Sequence, residues 1–439
     1  MSKIKSSSEE DKLESSSGKY ELRAVFTPSS LPDKTFVERG EVGDRLERYL
    51  KMRGAPICLS GPYQSGKTTL VLAKAKKIFE DCIHITCKEI STFDELLFEA
   101  LNELEPYHLK QRNSSASKNP FGISGGLFGF LRAQWESRGY KETNKEERVV
   151  EPRITSRALA KFSAAANRPL VLDDIQKLSS SELGKVANAM REWQTTGLDV
   201  GTPKFVVIGS DKVSFSIPDL LLQKAPDLHN RLVDFSLSLM TEDELHEIIR
   251  LGSSLLNVDF SSVANQIIEY SSKHPGICHH LCYHACSIAG VESTSDSRIR
   301  IGPDHLERAL DEFLTSCSTA IKYAFKKIDE NPVPLDGIPA AFNRTVLDKV
   351  ASGGMEGISN KDLVSYVGVA HEIDETQVIG ALDFLVDGET GVLIFDNDTG
   401  SIRFKDPMHF AYYRQRKAIS SEEIKKKELA SAFLEIFGK

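Results

Sequence analysis

The chain has 439 residues, 40% of them hydrophobic and 27% charged, which excludes wholesale disorder and leaves room for two or three domains. Lys and Arg number 55 against 63 Asp and Glu, a net charge of −8, so no global field draws the chain to nucleic acid, although a local basic patch stays open. No run reaches the about 18 apolar residues of a membrane span, residues 1–18 lack the apolar segment of a secretory signal, and seven cysteines without framework spacing fit a reducing cytoplasm.

Residues 1–33 are polar and Ser-rich, with Pro28 and Pro32 closing the stretch, and are expected to form a disordered tail. From 34 to 238 short apolar runs alternate with amphipathic segments, the pattern of an α/β layer with a parallel sheet and helices on both faces. Strands are expected at Pro56–Ser60, Cys82–Cys87, Pro169–Asp173 and Lys204–Ser210. Helices are expected at Val42–Met52, Lys67–Glu80, Phe93–Leu104, Ile154–Ala166 and Ser181–Thr195. Residues 107–152 fit neither pattern; the Gly-rich centre, Phe121 to Phe130, and the charged second half read as a surface insertion.

After Asp234 no further strand is expected until the last domain. Glu242–Leu255, Phe260–Lys273, Ile277–Ala289 and Asp304–Asp329 read as helices of an all-α domain over 239–330. Asn331 to Pro339 carries three prolines in nine residues and reads as a linker. Three helices (Phe342–Ala351, Asn360–Val367, Glu375–Leu385) and two strands (Val392–Phe395, Ile402–Lys405) turned by Asp396 to Gly400 outline a winged helix over 331–418. Residues 419–439 read as one more amphipathic helix.

The chemistry concentrates in Gly61-Pro62-Tyr63-Gln64-Ser65-Gly66-Lys67-Thr68, which follows a strand and opens a helix. Glycines let successive N–H groups turn toward phosphate oxygens, and the helix N-terminus adds positive potential. In such a loop Lys67 reaches the β and γ phosphates of ATP and the Thr68 hydroxyl ligates Mg²⁺, with Thr69 next along the nucleotide-binding segment. The second element, Pro169-Leu-Val-Leu-Asp173-Asp174, is an apolar run ending in paired carboxylates at the sheet edge where α/β proteins hold ligands. Asp173 is the candidate second Mg²⁺ ligand, through water. Asp174 is the candidate group that orients or deprotonates the attacking water.

With these elements the sequence resembles the STAND-type P-loop ATPases, close to the archaeal-type and origin-recognition-like branch of the AAA+ proteins, over about residues 34–418. Phe36-Val-Glu-Arg39-Gly-Glu41 resembles the Phe-x-Gly-Arg-x-x-Glu motif that lines the nucleotide's base side in that family. Lys204 to Ser210 resembles the sensor-one strand, with Ser210 at its polar tip. Asn230-Arg231, followed by Thr241-Glu-Asp-Glu-Leu, resembles the arginine-bearing segment that leads into the helical lid. Ser272-Lys273-His-Pro275-Gly resembles the lid's Gly-x-Pro element, which contacts nucleotide. Glu38 and Lys273 stand where the family has glycine, and Asp174 where hydrolytic relatives often carry Glu. Arg231 has two readings: stabilisation of phosphoryl charge, in cis or across a subunit boundary, or a structural tie to a carboxylate.

His274, Cys278, His279, His280, Cys282, His284 and Cys286 invite a zinc reading. On a helix, however, Cys278, Cys282 and Cys286 form one stripe beside Leu281 and Ala285, away from His280 and His284, and read as core. In the winged helix, residues 333–418 hold eight Lys and Arg against thirteen Asp and Glu, a net of −5. Phosphate contact needs the opposite sign, and the basic run Arg414-Gln-Arg416-Lys417 is either a phosphate contact or a solvated helix face. The expected function is therefore a cytoplasmic ATP- and Mg²⁺-dependent switch with slow hydrolysis, assembling with a protein partner or with itself. A DNA-acting initiator or transposition-regulator ATPase and a non-hydrolysing nucleotide scaffold are the alternatives.

Overall fold

The computed structural model describes residues 18–114 and 155–417, apart from 29, 63–64, 80, 197–200, 202, 211–215, 331–337, 340, 387–390, 397–399 and 406–407, and over 105–114 and at Asp396 only the backbone is described. Tyr63 and Gln64, residues 115–152 of the expected insertion, most of the expected linker, Asp398 of the wing tip and the expected C-terminal helix lie outside the described residues. The chain divides into two compact units: Glu38–Ser238, and the described residues up to Val37 together with those from Leu239 onward.

The first helix among the described residues, α1 (Leu22–Val25), lies inside the stretch expected to be a disordered tail. That expectation is corrected from residue 20 onward. Val25 and Phe26 are fully buried, and Phe26 meets Phe260 edge-to-face at 6.0 Å. The Phe26 ring fills the space above Gly252, where a Cβ would lie 2.1 Å from it. Leu22, Val25 and Phe26 make one helical turn of apolar stripe, too short to stand out in a polar stretch.

The unit Glu38–Ser238 is a parallel α/β fold. Its elements are α2 (Gly40–Lys51), β1 (Ile57–Ser60), α3 (Lys67–Phe79), β2 (Ile83–Thr86), α4 (Phe93–Ser114) and α5 (Ser156–Ala166). They continue with β3 (Leu170–Asp173), α6 (Ser180–Trp193), β4 (Phe205–Ile208), α7 (Ile217–Lys224) and β5 (Val233–Ser236). The sheet order is β2-β3-β4-β1-β5 and every pairing is parallel. β1, β3 and β4 are buried at all four residues, which is why each reads as an unbroken apolar run. β5 is the strand of this unit that the sequence reading misses. It is an edge strand burying only Phe235, so Val-Asp-Phe-Ser lacks that run.

The other unit holds α8 (Glu242–Leu256), β6 (Val258–Asp259), α9 (Ala264–Ser271), α10 (Pro275–Ile288), β7 (Ile299–Arg300), α11 (Pro303–Ser316) and α12 (Thr319–Glu330). A Thr241 capping box opens α8, and Asn257 closes it in the left-handed conformation. The single helix expected over Asp304–Asp329 is broken at Cys317 and Ser318. Cys278, Cys282 and Cys286 are fully buried in the apolar core of these helices, and burial pushes the Cys286 thiol up to about 12.

A winged helix follows: α13 (Phe342–Ser352), β8 (Ile358–Ser359), α14 (Asn360–His371), α15 (Glu375–Val386), β9 (Leu393–Asp396) and β10 (Ser401–Phe404), with an antiparallel sheet ordered β8-β10-β9. The last helix among the described residues, α16 over 408–417, places Ala411 in the helical core and Phe410 in the winged-helix core. α16 thus belongs to both cores. Among the described residues no helix is long and apolar enough to cross a membrane.

Candidate functional site

The loop after β1 sits at the carboxyl edge of the sheet. Gly61 has φ +135°, and a Cβ there would meet the Leu237 carbonyl oxygen at 2.3 Å, so only glycine permits β1 to turn out beside the end of β5. Gly66 has φ +90°, and its carbonyl accepts the Leu70 amide at 2.9 Å, setting the first turn of α3. Between them Ser65 is fully buried, with its hydroxyl unpartnered. The Pro62 carbonyl accepts the Ser65 amide at 3.4 Å, and Thr69 lies in the first turn of α3.

Three cationic or metal-binding candidates converge on this loop. Lys67 is buried and its Nζ donates to the carbonyls of Gly61 at 3.1 Å and Pro62 at 2.6 Å. Thr68 Oγ1 donates to Asp173 Oδ2 at 2.6 Å, so the expected metal pair meets across α3 and β3. Arg39, buried at the N-cap of α2, donates to the Ser65 carbonyl at 2.7 Å and the Ser238 carbonyl at 2.8 Å. Its guanidinium braces the loop's own backbone against the segment after β5.

Asp173 receives more than Thr68. His84 Nε2 lies 3.3 Å from the same Oδ2, and the Asp174 amide donates to Oδ1 at 2.8 Å. Burial opposes ionisation of Asp173, but these bonds from His84, Thr68 and the Asp174 amide outweigh it and hold the carboxyl below its usual range. His84 stands on β2, in register with Val171 of β3, at a half-buried position between the buried Ile83 and Ile85. A lone histidine in a short strand carries no signal until β2 is known to neighbour β3.

Asp174 follows in a left-handed conformation, φ +57°, at the start of a 3-10 turn over Ile175–Lys177. Gln176 Nε2 donates to its Oδ1 at 2.9 Å and Lys177 Nζ to its Oδ2 at 2.7 Å. Gln176 Oε1 in turn accepts the Ser210 amide at 3.0 Å, so the ends of β3 and β4 are joined at the carboxyl edge. Gln176 and Lys177, two and three residues past the paired carboxylates, escape the sequence reading because polar residues after a strand are commonplace.

Arg231 is elsewhere. It precedes β5, whose Val233 is in register with Ile57 at the start of β1, while the phosphate loop follows Ser60 at the strand's end. At about 3.3 Å per residue the length of a strand separates the two edges. The exposed guanidinium donates to Gln194 Oε1 at 3.2 Å. The reading of Arg231 as a catalytic residue in cis is therefore corrected: it cannot reach the loop of its own chain. Pro275 belongs to the other unit, at the first position of α10. Ser272 and Lys273 just before it have φ +51° and +65°. Lys273 thus takes a backbone region that suits the glycine the related motif carries there.

The donor set suits the expected ligands. Thr68 and Asp173 offer hard oxygens, as Mg²⁺ prefers, and the Ser65 hydroxyl and Lys67 ammonium, both buried, belong to the segment expected to hold phosphate. Among the described residues no three His, Cys, Asp or Glu side chains gather as a metal cluster.

No protein-family model matches this chain, and no curated protein matches it in sequence. Among solved structures it is similar to the ORC2 protein of Aeropyrum pernix in ADPNP and ADP complexes, at 15% identity and a TM-score of 0.48, covering 93% of this chain and 100% of that one. It is also similar to a Walker-type ATPase of Pyrococcus abyssi, at 15% identity and a TM-score of 0.47, covering 88% and 100%. The RuvB Holliday junction branch migration motor of Thermotoga maritima is similar at 14% identity and a TM-score of 0.41, covering 84% and 93%.

Proposed function

We propose that the chain is an ATP-dependent switch of the AAA+ kind, related to the STAND-type and origin-recognition-like branches, whose nucleotide state controls assembly with a protein partner. The observation that carries this reading is the 2.6 Å bond from Thr68 Oγ1 to Asp173 Oδ2 at the mouth of the loop Gly61–Gly66. Thr68 and Asp173 would hold Mg²⁺, which supplies positive charge to phosphate oxygens. Lys67 would exchange two neutral carbonyls for charged phosphate oxygens, a stronger class of bond. Asp174 would accept from the attacking water and set its direction. Arg231 is left with a role across a subunit boundary or its structural tie to Gln194.

Titration of the full chain with ATP, with and without Mg²⁺, followed by phosphate release, tests the reading. Micromolar binding lost in Lys67→Ala and phosphate release lost in Asp174→Asn support it; ATP binding indifferent to Lys67 contradicts it.

A non-hydrolysing scaffold is the second reading, favoured by the engagement of both Asp174 oxygens. Phosphate release decides between the two. The DNA-acting alternative draws support from the winged-helix topology, but the basic residues that would serve it are spent on ion pairs. Arg414 pairs with Glu269, Arg416 with Asp329 and Lys417 with Asp348.

A further inference from the structure

Gln176 is the residue through which the tip of β4 touches the carboxylate of Asp174. Its side-chain amide has one donor end and one acceptor end, and both are used. Nε2 faces Asp174 Oδ1 at 2.9 Å, and Oε1 faces the Ser210 N–H at 3.0 Å. The reverse orientation of the amide satisfies neither neighbour, because a carboxylate only accepts and a backbone N–H only donates. The fit is close as well: a Cβ on Gly209 would stand 3.3 Å from Gln176 Oε1. Asp174 itself is a non-glycine residue at φ +57°, a backbone setting that needs its surroundings to hold it.

We propose that Gln176 is a positioning residue for nucleotide hydrolysis, fixing the Asp174 carboxylate relative to Ser210 at the end of β4. The proposal rests on the reading that Asp174 handles the attacking water. The two oxygens of Asp174 then have different fates. Oδ2 accepts from Lys177, whose side chain is 44% exposed, a pair that water screens and can replace. Oδ1 is held by Gln176 between two strand ends. One oxygen is therefore exchangeable for a water while the other keeps the group in place, and any movement of Ser210 passes to Asp174 through two hydrogen bonds.

The test uses the full chain with Gln176→Leu, which keeps the bulk and removes both bonds. The expected result is a fall in kcat for phosphate release of about tenfold or more, with KM and the affinity for ATP changed by no more than about twofold. Hydrogen exchange at the Ser210 amide should quicken by about tenfold, a readout of the bridge that needs no turnover. If Gln176→Leu does not fold, Gln176→Glu, which keeps the acceptor for the Ser210 amide but replaces the donor to Asp174 Oδ1 with a repelling carboxylate oxygen, is read by kcat against ATP affinity alone. An unchanged kcat overturns the proposal, as does a loss of ATP affinity equal to the loss of kcat, which would make Gln176 a prop of the loop. A wild-type chain that binds ATP and releases no phosphate overturns the positioning role while leaving nucleotide binding intact. Failure of the wild type to bind ATP removes both.

Discussion

Arg414 donates to Glu269 twice, to its backbone carbonyl at 3.1 Å and to its carboxylate at 2.7 Å, so the basic run after the wing is turned onto the helical domain. Gln415 does likewise, donating to the Tyr270 carbonyl at 3.2 Å, whereas Lys417 donates to Asp348 on α13 of the winged helix at 2.5 Å. These residues were open to two readings, phosphate contact or solvated face, and the structure gives a third. They bolt α16 to helices on both sides.

Reversal of Arg416 is thus expected to affect stability rather than DNA binding. Arg416→Glu breaks the pair with Asp329, and for half-exposed partners that costs about 1 kcal/mol or less before the added repulsion. The melting temperature should fall by a few degrees, while any weak affinity of the full chain for duplex DNA at physiological salt stays the same. Tight DNA binding that Arg416→Glu abolishes would restore the initiator-like reading.

Phe26→Ala is expected to destabilise the chain by about 3 kcal/mol or more, since it empties a fully buried ring site above Gly252. Chemical denaturation measures it. A change within about 0.5 kcal/mol, the range of ordinary surface substitutions, would place Phe26 in a solvated tail after all.

Lys273→Gly is expected to raise stability by about 0.5–1 kcal/mol, because φ +65° strains a side-chain-bearing residue and suits glycine. The change leaves the Met240 amide free to bond the 273 carbonyl as it does now, at 3.1 Å. A lower denaturation midpoint would show that the Lys273 side chain contributes more than its backbone costs.

These cases show which parts of the molecule a sequence can disclose. β1, β3 and β4 were legible because strands buried on both faces leave unbroken apolar runs, and the phosphate loop because its glycines sit at fixed offsets between strand and helix. The edge strand β5 and the single turn of α1 bury too few residues to leave such a pattern. The site divides the same way. Thr68 and Asp173, 105 residues apart, were paired by motif and meet as expected. His84 and Gln176 depend on which strands are neighbours, and Arg231 on which edge of the sheet its loop occupies. Neither is written in local composition.

The chain should also lose stability in mild acid. Burial holds His279 down at about 4, and burial together with the charge of His284 holds His280 there as well. His279 Nδ1 accepts the Thr27 amide at 3.2 Å, a bond that a protonated ring cannot keep. In the unfolded chain both imidazoles titrate near about 6.5. Between about 4 and 6.5 the unfolded state therefore binds more protons, so the stabilisation is complete above about pH 6.5 and drains away as pH falls through that window. Denaturation midpoints measured from pH 7.5 to 5 should decline, and His279→Gln should flatten the slope. A flat profile in the wild type would contradict buried neutral histidines.

The measurement that bears most directly on the function is equilibrium binding of ATP to the full chain and to Lys67→Ala, each with Mg²⁺ and with chelator. The buried ammonium of Lys67 and the pairing of Thr68 with Asp173 require that ATP affinity fall by about tenfold or more in Lys67→Ala, and that removing Mg²⁺ weaken binding to the wild type. Equal affinity in all four titrations, or no binding by the wild type in either buffer, would contradict the assignment of this loop to nucleotide.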